Sequence, residues 1–484
     1  MILKTLVGYL LKKKEGCLRP SFFDSEWYLN VYHDVKASKI NPWIHFNRYG
    51  RYEGRFSCKE HADIWLFNTR SDIEKIEADF DSSTQINKNY FAWLLGRWYA
   101  RADEWDSVLK AMEQYDFNID AKNKNARDLM QGVLYYESLV HSASLLDAEA
   151  FLNSLKSQYP NAVVFDLLEA NQCAPQVDSW LSHVNQIYDR SNLAGLTLID
   201  NRPHFDALHH QEVPLCGLPH GLSEPLVSII VPMFNAEESI RTVLRSLLSQ
   251  SWQNIEVIVV DDASSDASCE AVESIASQDA RVRLIRNQYN QGPYAVRNQG
   301  LQDAKGEFIT VHDADDWSHA QKIESQLMPL LQNPSMIATM SHWARLTNDL
   351  QFGRWKTPSS WVNWVHQNVS SLLFRRSVFD TLGYWDNVKC NADMEYYHRI
   401  LAVYGKDAIK PILPNVPLSM GRLSDSSITQ QNETSIFSIF SGSRCDYTQS
   451  FMVWHAKMKT PSDLYMPFNP DQRLFPVPSS ICHK

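Results

Sequence analysis

From residue 225 onward, short apolar runs rich in β-branched residues alternate with amphipathic helical segments. Apolar runs at Leu226–Val231 and Ile255–Val260 enclose a helical pattern at Glu237–Gln250. The alternation continues with a helix at 267–276, a strand at 282–285, a helix at 294–304 and a strand at 307–311. Strands separated by helices in this way form βαβ units, in which the strands are parallel. The pattern therefore predicts an α/β domain built on a mainly parallel sheet.

Polar residues directly follow three of these predicted strands. Pro232–Asn235 follow the first strand, Asp262 follows the second, and the fourth is followed by Asp313, Asp315 and Asp316. In an open parallel sheet, ligands bind beyond the carboxyl ends of the strands, so these side chains should converge on one edge. Carboxylates held close together repel one another, and three of them after a buried strand are costly unless they bind something. The sequence therefore predicts a ligand site at this edge.

The chain contains no glycine-rich phosphate loop, neither G-x-G-x-x-G nor G-x-x-x-x-G-K-[ST]. A hard divalent cation held by aspartate oxygens can perform the same task. It bridges carboxylates to phosphate oxygens and stabilises a departing diphosphate. Oxygen ligands favour Mg²⁺ or Mn²⁺ over softer metals, so we expect one of these two ions as the cofactor.

Four segments carry a resemblance to a known family: 227–235, 259–266, 290–298 and 313–316. They resemble the motifs of the family 2 glycosyltransferases of the GT-A fold, and they occur in the family's order and spacing. The resemblance implies a Rossmann-like GT-A catalytic domain at 225–410. It also implies an inverting enzyme that moves a sugar from a nucleotide-diphosphate donor, typically a UDP-sugar, to an acceptor hydroxyl.

The resemblance further implies roles for individual residues. Binding of the nucleotide-sugar donor falls to Pro232, Phe234, Asn235, Glu237, Asp262, Arg297, Asp313 and Asp316. Asp315 would hold the metal ion. Asp393 would be the general base that takes the proton from the acceptor hydroxyl. The family often has Glu-Asp at this point, whereas this chain has Ala392-Asp393, and Glu395 is a second candidate for the base.

Several of these residues also have a purely structural interpretation. Asn235 and Glu238 fit a helix cap with its capping-box partner. Asp261 and Asp262 fit the start of a turn, and Asp393 fits the cap of the helix that follows it. The sequence leaves both interpretations open at these positions, whereas the acidic run at 313–316 favours a ligand site.

The region before the α/β domain is predicted to be helical. Residues 1–58 resemble a small module that accompanies many bacterial polysaccharide glycosyltransferases, through the stretches Phe-Asp-Ser-Glu-Trp-Tyr-Leu, Asn-Pro-Trp-Ile-His-Phe and Gly-Arg-Tyr-Glu-Gly-Arg. Within this module, His45 is predicted to be a packed core residue. Residues 59–200 have loosely recurring helical periodicity, which predicts an α-helical, repeat-like domain. The Pro-, His- and Gly-rich stretch 201–224 is predicted to be a linker.

The tail at 411–484 resembles the segment that closes the acceptor side in family 2 enzymes. Arg422 and His455 are its candidates for contact with the diphosphate. The expected acceptor is a glycan or a lipid-linked glycan, in the assembly of capsule, lipopolysaccharide or exopolysaccharide. The helical region at 59–200 fits either a protein-partner surface or plain structural support.

Net charge, the cysteine pattern and the lengths of apolar runs argue against several partners and ligands. The net charge of −10 argues against a nucleic-acid partner. The eight cysteines include no C-x-x-C pair, so a zinc site is not supported, and we expect reduced thiols in the cytoplasm. No apolar run has the length of a membrane span. Met1–Pro20 mixes apolar residues with lysines, which fits either a peripheral helix on the inner membrane or an ordinary first helix.

Three other functions fit parts of the sequence. A non-catalytic scaffold in the same pathway would share the fold, but the retained Asp315 and Asp393 favour an enzyme. A sugar-nucleotidyltransferase would carry a glycine-rich basic loop near its first strand, and 228–235 has none. A glycoside hydrolase also uses two carboxylates, but it needs no nucleotide site.

Overall fold

A computed structural model of the chain describes residues 23–51, 53, 55–62, 70–81, 85–117, 129–174, 176–215, 224–353, 355, 363–423, 438, 440 and 442–483. The basic stretch Met1–Pro20 lies outside the described residues. The chain divides into two compact units. The helical unit comprises 1–155, 355–362 and 440–445, and the sheet unit comprises 156–354, 363–439 and 446–484. Within the described ranges, none of the helices is both long enough and apolar enough to cross a bilayer.

In the helical unit, the local sequence contains residues that cap the first turn of helices. Its helices are α1 (Ser25–Val31), α2 (His33–Ser38), α3 (Pro42–His45), α4 (Arg70–Asp81), α5 (Gln85–Arg101), α6 (Trp105–Met112), α7 (Leu129–His141) and α8 (Leu145–Gln158). Asp24 caps α1, because its carboxylate accepts the N–H groups of Glu26 and Trp27 at 3.0 Å. Asn41 caps α3 in the same way, and Pro42 occupies its first helical position.

The small module at the start of this unit has an aromatic core. Phe23, Tyr28 and Phe46 are almost fully buried, and their ring centroids lie 5.0–5.7 Å apart. His45 is 8% exposed, and its Nδ1 lies 3.1 Å from the Tyr28 hydroxyl. The prediction that His45 is a packed core residue is therefore confirmed.

The predicted helices at 59–200 are present, but the helical unit ends before residue 200. The sheet unit begins with two further helices, α9 (Val164–Cys173) and α10 (Val177–Asp189). The Asn171 amide makes hydrogen bonds in both directions with the backbone of Phe352, at 2.6 and 2.8 Å. Trp180 stacks on the Phe352 ring with centroids 5.5 Å apart. These long-range contacts fasten both helices to the sheet unit, and helical periodicity alone does not reveal them.

The central sheet of the sheet unit has seven strands. The remaining elements are β1 (Leu196–Leu198), β2 (Leu208–His210), β3 (Val227–Met233), α11 (Ile240–Leu248), β4 (Ile255–Asp261), α12 (Ser268–Ala276), β5 (Val282–Arg286), α13 (Pro293–Asp303), β6 (Phe308–Val311), β7 (Trp317–Ser318), α14 (Lys322–Gln332), β8 (Ala338–Met340), β9 (His342–Leu346), β10 (Val365–Gln367), β11 (Leu373–Arg375), α15 (Arg376–Leu382), α16 (Ala392–Tyr404), β12 (Ile409–Pro411), β13 (Pro417–Arg422) and α17 (Ser443–His455). The strand order is β12-β8-β11-β6-β3-β4-β5. Strands β3 to β6 are parallel, while β11 is antiparallel to β6 and β8. The predicted α/β GT-A architecture with a mainly parallel sheet is confirmed.

Both faces of this sheet are covered by apolar side chains. Ile230 and Ile258 pack in one buried cluster with Val296 of α13. Ile229 and Val257, their neighbours along the strands, pack in the opposite cluster. A sheet buried on both faces requires continuous apolar strands, which explains why these strands read as unbroken apolar runs in the sequence.

A smaller sheet has the strand order β10-β9-β13-β7, with β13 parallel to β9. The α/β fold therefore continues past residue 410, the predicted end of the catalytic domain. Within the stretch predicted as a linker at 201–224, the described residues 201–215 have more structure than the composition indicated. Phe205 and Leu208 are fully buried, and β2 pairs with β1.

Candidate donor and catalytic site

The carboxyl ends of β3, β4 and β6 lie side by side at one edge of the central sheet. Met233 at the end of β3 pairs with Asp261 at the end of β4. Ile230 of β3 pairs with Val311 at the end of β6. The residues that follow these three strands therefore share one edge, which is where the sequence predicted a ligand site.

The acidic cluster, Asp313, Asp315 and Asp316, follows β6 at this edge. Asp313 accepts a hydrogen bond from the Arg297 guanidinium at 2.7 Å. That guanidinium also lies over the Tyr294 ring, 4.9 Å from its centroid. Burial acts to raise the pKa of Asp313, but the charge of Arg297 helps to hold it below its usual value. The structure thus brings together two of the predicted donor residues, Arg297 and Asp313.

The other two carboxyls of the acidic cluster are shifted toward the protonated form. Burial and the charge of Asp313 raise the pKa of Asp315. Burial and the charge of Asp315 raise the pKa of Asp316 well above its usual value. A cation close to these groups would favour their charged forms, because an opposite charge lowers the pKa of a carboxyl.

The acidic cluster supplies carboxylate oxygens, which are the ligands that a hard divalent ion prefers. In the part of the chain that the structure describes, no three His, Cys, Asp or Glu side chains are arranged as metal ligands. Mg²⁺ is usually held by one or two carboxylates together with substrate phosphates and water. Asp315, flanked by two further carboxylates, fits this smaller requirement for Mg²⁺ or Mn²⁺.

Arg422 lies beside the acidic cluster, where other side chains hold it. Its backbone N–H donates to Asp316 Oδ1 at 3.2 Å. Its guanidinium forms an ion pair with Asp206, donates to Asn348 at 2.7 Å and lies over the Phe205 ring. Arg422 therefore supports the wall of the site, and its contact with the diphosphate stays a prediction. Asp206 was missed because it lies in the predicted linker, where no local pattern marks it.

A second arginine that sequence reasoning missed, Arg345 in β9, also acts on the acidic cluster. Its guanidinium carbon lies 3.9 Å from the centroid of the Trp343 ring. Its charge lowers the pKa of all three cluster carboxyls against the effect of burial. Gly421 in the neighbouring β13 leaves room for this stack, because a Cβ there would lie 2.9 Å from atoms of Arg345 and of Trp343.

Asp262 binds the loop at 289–292. Its carboxylate accepts the backbone N–H groups of Gln291 at 2.7 Å and Gly292 at 2.8 Å. A carboxylate has lone pairs for more than two donors, so these bonds are compatible with a further one from a ligand. The hydrogen bond from a nucleobase to Asp262 stays a prediction. The turn interpretation fits Asp261, whose carboxylate accepts the N–H of Ser264 at 3.2 Å, and not Asp262.

Asn235 and Glu237 bind the loop between β4 and α12. Asn235 Oδ1 accepts the N–H of Ser265 at 2.9 Å, and the Glu237 carboxylate accepts the N–H of Ala267 at 2.9 Å. The N-cap residue of α11 is Ser239, so the interpretation of Asn235 as the cap of that helix is wrong. The two side chains instead tie together two of the loops that form the predicted site.

Pro232 and Phe234 stand at the end of β3. Phe234 keeps 52% of its surface exposed, although its side chain is large and apolar. Pro232 is half-buried and pairs with Val260. An exposed aromatic ring beside the end of β4 has the chemistry required to stack on a nucleobase.

Asp393 lies in the first turn of α16 and accepts a hydrogen bond from the Tyr294 hydroxyl at 2.9 Å. The N-cap residue of α16 is Asn391, whose backbone is left-handed with φ of 72°. The interpretation of Asp393 as the helix cap is therefore wrong. The Tyr294 ring lies against Arg297, which binds Asp313, so a continuous set of contacts joins Asp393 to the acidic cluster.

Glu395, the second candidate for the base, is fully buried. One oxygen of its carboxylate accepts a hydrogen bond from the Arg399 guanidinium at 2.8 Å, and the other lies 2.8 Å from His455 Nε2. A general base must reach the proton that it removes, and the buried Glu395 carboxylate is already paired with Arg399 and His455, which favours a structural role. His455 is engaged in the same buried group, and its contact with the diphosphate stays a prediction.

The fold and the site define a class of protein: an α/β domain with a cluster of carboxyl groups at the carboxyl edge of its parallel strands. Residues 228–384 match the model of the family described as Glycosyl transferase family 2. This part of the chain is therefore a family 2 glycosyltransferase domain, as its motifs predicted.

Known proteins resemble parts of the chain. An uncharacterized glycosyltransferase of Haemophilus influenzae is 44% identical over 123 residues, which are 25% of this chain and 49% of the relative. The UDP-Glc:alpha-D-GlcNAc-diphosphoundecaprenol beta-1,3-glucosyltransferase WfgD of Escherichia coli is 39% identical over 112 residues, 23% of this chain and 44% of the relative. The chain thus spans less than half the length of these relatives. The solved structure of S. aureus TarS 1–349 in complex with UDP has 21% identity and a TM-score of 0.34, over 41% of this chain and 61% of that one.

Proposed function

We propose that the sheet unit is an inverting glycosyltransferase. It moves a sugar from a nucleotide-diphosphate donor, with UDP as the preferred nucleotide, to the hydroxyl of a glycan or a lipid-linked glycan. The Escherichia coli relative supports this acceptor class, since its name specifies a UDP-glucose donor and a diphosphoundecaprenol-linked acceptor. The module at 1–58, with its resemblance to a partner of polysaccharide glycosyltransferases, supports the same pathway of surface polysaccharide assembly.

The observation that carries this proposal is the set of contacts from Asp393 to the acidic cluster. Tyr294 donates to Asp393 at 2.9 Å, and Arg297 lies on the Tyr294 ring while it donates to Asp313 at 2.7 Å. A transferase needs its acceptor base at a fixed position relative to the donor phosphates, because the reacting atoms must be aligned. These three contacts supply that alignment.

In the proposed reaction, Asp393 removes the proton from the acceptor hydroxyl while the hydroxyl oxygen attacks the anomeric carbon. The bond to the diphosphate breaks in the same displacement, and the anomeric centre is inverted. Arg345 is placed to stabilise the negative charge that develops on the diphosphate. Asp315 would hold the Mn²⁺ or Mg²⁺ ion, which supplies Lewis-acid stabilisation of the same charge.

The alternative of a non-catalytic scaffold is disfavoured by the same geometry. A degenerate domain has no need to keep Asp393 aligned with an acidic cluster. We place the reaction in the cytoplasm, with Met1–Pro20 as a peripheral contact to the inner membrane, since the acceptor named for the relative is lipid-linked. The helical unit remains the candidate surface for a protein partner.

Calorimetric titration tests the donor site. UDP, GDP, CDP and dTDP are each titrated with Mn²⁺ and with a chelator, into the wild type, Asp315→Ala and the exposed control Asp471→Ala. We expect one nucleotide to bind only with metal, Asp315→Ala to abolish this binding, and Asp471→Ala to leave it unchanged. Absence of binding by the wild type under all conditions would sink the proposal.

A second assay tests the base. Asp393→Asn is nearly the same size as the wild-type residue but cannot take a proton, so it should bind nucleotide normally and lose sugar transfer. Transfer at the wild-type rate by this variant would remove Asp393 from the mechanism and leave the donor site standing.

A further inference from the structure

The segment at 475–483, which lies beyond the family match, is firmly anchored to the sheet unit. Phe475 and Ile481 are buried in the apolar cluster that also contains Tyr447. The backbone N–H of Lys389 donates to the Ile481 carbonyl at 2.8 Å. These contacts hold the segment beside the stretch that leads into α16 and its Asp393.

This segment brings His483 onto the 289–292 loop. Cys482 forms an antiparallel bridge with Val388 immediately before it. A Cβ built on Gly292 would lie 2.1 Å from Cε1 and 2.3 Å from Nε2 of His483, so the imidazole rests directly on the Gly292 backbone. Gly292 has a φ of +88°, a conformation that favours glycine. His483 Nε2 is buried and has no hydrogen-bond partner among the described residues.

Asp262 binds the same loop through the N–H groups of Gln291 and Gly292. Burial lowers the pKa of His483, whereas a hydrogen bond with the Val388 backbone and the negative charge of Asp262 act to raise it. The loop is therefore held by two side chains from distant parts of the chain. One of them, Asp262, is the residue that the family resemblance assigns to the nucleobase.

We propose that His483 is a positioning residue for the donor nucleotide, which fixes Gly292 so that Asp262 and the 289–292 loop present a preformed surface to the base. The inference rests on the proposed function, because it takes Asp262 to be a nucleobase contact. A loop that is ordered before binding loses less conformational entropy when the ligand arrives. Loss of the imidazole should therefore weaken donor affinity about three- to tenfold and leave the chemical step unchanged.

The first test compares His483→Ala with His483→Gln and with the exposed control Ser479→Ala, all in the full chain. The dissociation constant of UDP with Mn²⁺ is measured by calorimetry, and kcat and donor KM by sugar transfer. We expect His483→Ala to raise the dissociation constant and KM together, with kcat unchanged. The polar side chain of His483→Gln should restore part of the affinity, and Ser479→Ala should match the wild type.

A second test addresses the contact between the ring and the loop. Gly292→Ala inserts a methyl group into the space of the imidazole, so it should also weaken UDP binding. The double variant with His483→Ala should lose less affinity than the sum of the two single losses, because residues in contact are not additive. Thermal unfolding of each variant checks that the binding measurements refer to folded protein.

The outcomes separate this inference from the function on which it rests. Unchanged UDP affinity in His483→Ala overturns the positioning role while the wild type still binds nucleotide. Strictly additive losses in the double variant overturn the coupling between His483 and Gly292. A fall in kcat alone overturns the role of His483 in positioning the donor. Absence of nucleotide binding by the wild type overturns both proposals.

Discussion

The buried group of Glu395, Arg399 and His455 offers a quantitative test of the argument that Glu395 is structural. Both Glu395 and Arg399 have no exposed side-chain surface, and the His455 side chain is 4% exposed. Arg399 also donates to the carbonyls of Leu382 at 2.7 Å and Tyr384 at 2.8 Å. The change Glu395→Gln keeps the shape of the side chain and removes only its charge, so Arg399 would stay buried without a counter-charge.

Removing one partner of a buried ion pair costs about 3–5 kcal/mol, because the remaining charge is desolvated without compensation. Glutamine can still accept one hydrogen bond, so we expect the low end, about 3 kcal/mol of unfolding free energy. A matched control exists on the surface, where Glu273 and Arg286 form an ion pair at 3.0 Å with side chains that are 57% and 48% exposed. Glu273→Gln should cost at most about 1 kcal/mol, since solvent screens such a pair.

Chemical denaturation followed by tryptophan fluorescence measures both variants, and sugar transfer is measured on the folded protein. Asp393→Asn serves as the functional counterpart, with lost transfer and nearly unchanged stability. If Glu395→Gln lost less than about 1 kcal/mol, the burial argument would be refuted. If it kept full stability and lost all transfer, Glu395 would be the base and our assignment of Asp393 would be wrong.

Three further substitutions probe the site. Tyr294→Phe removes the hydroxyl that donates to Asp393 and keeps the ring against Arg297. We therefore expect kcat to fall about ten- to a hundredfold with donor KM unchanged. A change in donor KM alone would contradict this expectation. Arg345→Ala should weaken UDP binding at least about tenfold and uridine binding little, because the guanidinium is proposed to bind the diphosphate. Equal losses for both ligands would contradict this contact. Gly421→Ala crowds the Arg345 stack and should show the same selectivity to a smaller degree in the same titrations.

The central sheet could be predicted because its information is local. The runs at Leu226–Val231 and Ile255–Val260 are apolar and β-branched throughout, and they became β3 and β4. The position of the acidic cluster followed from the same pattern, because residues after parallel strands must share an edge. Elementary sheet geometry was sufficient for these features.

The residues that complete the site could not be predicted, because each is placed by a contact across a long stretch of sequence. Asp206 and Arg422 are 216 residues apart in the chain, and Tyr294 and Asp393 are 99 residues apart. Asp206 lies in no local pattern that distinguishes it, and the 290–298 motif contains Tyr294 but gives no sign of its contact with Asp393. The interpretation of Asn235 as a helix cap failed for the same reason, because its partner lies on another loop.

Strand β13 lies outside the 228–384 match, yet it is hydrogen-bonded to β9 and β7, which lie within it. A fragment cut to the limits of the match would leave both strands with an unpaired backbone edge, and such edges are templates for aggregation. The same fragment would lack α9 and α10, which cover the loop containing Phe352. For recombinant expression and crystallisation, a shortened protein should therefore retain α9, α10 and β13, since the limits of the family match do not coincide with the limits of the sheet unit.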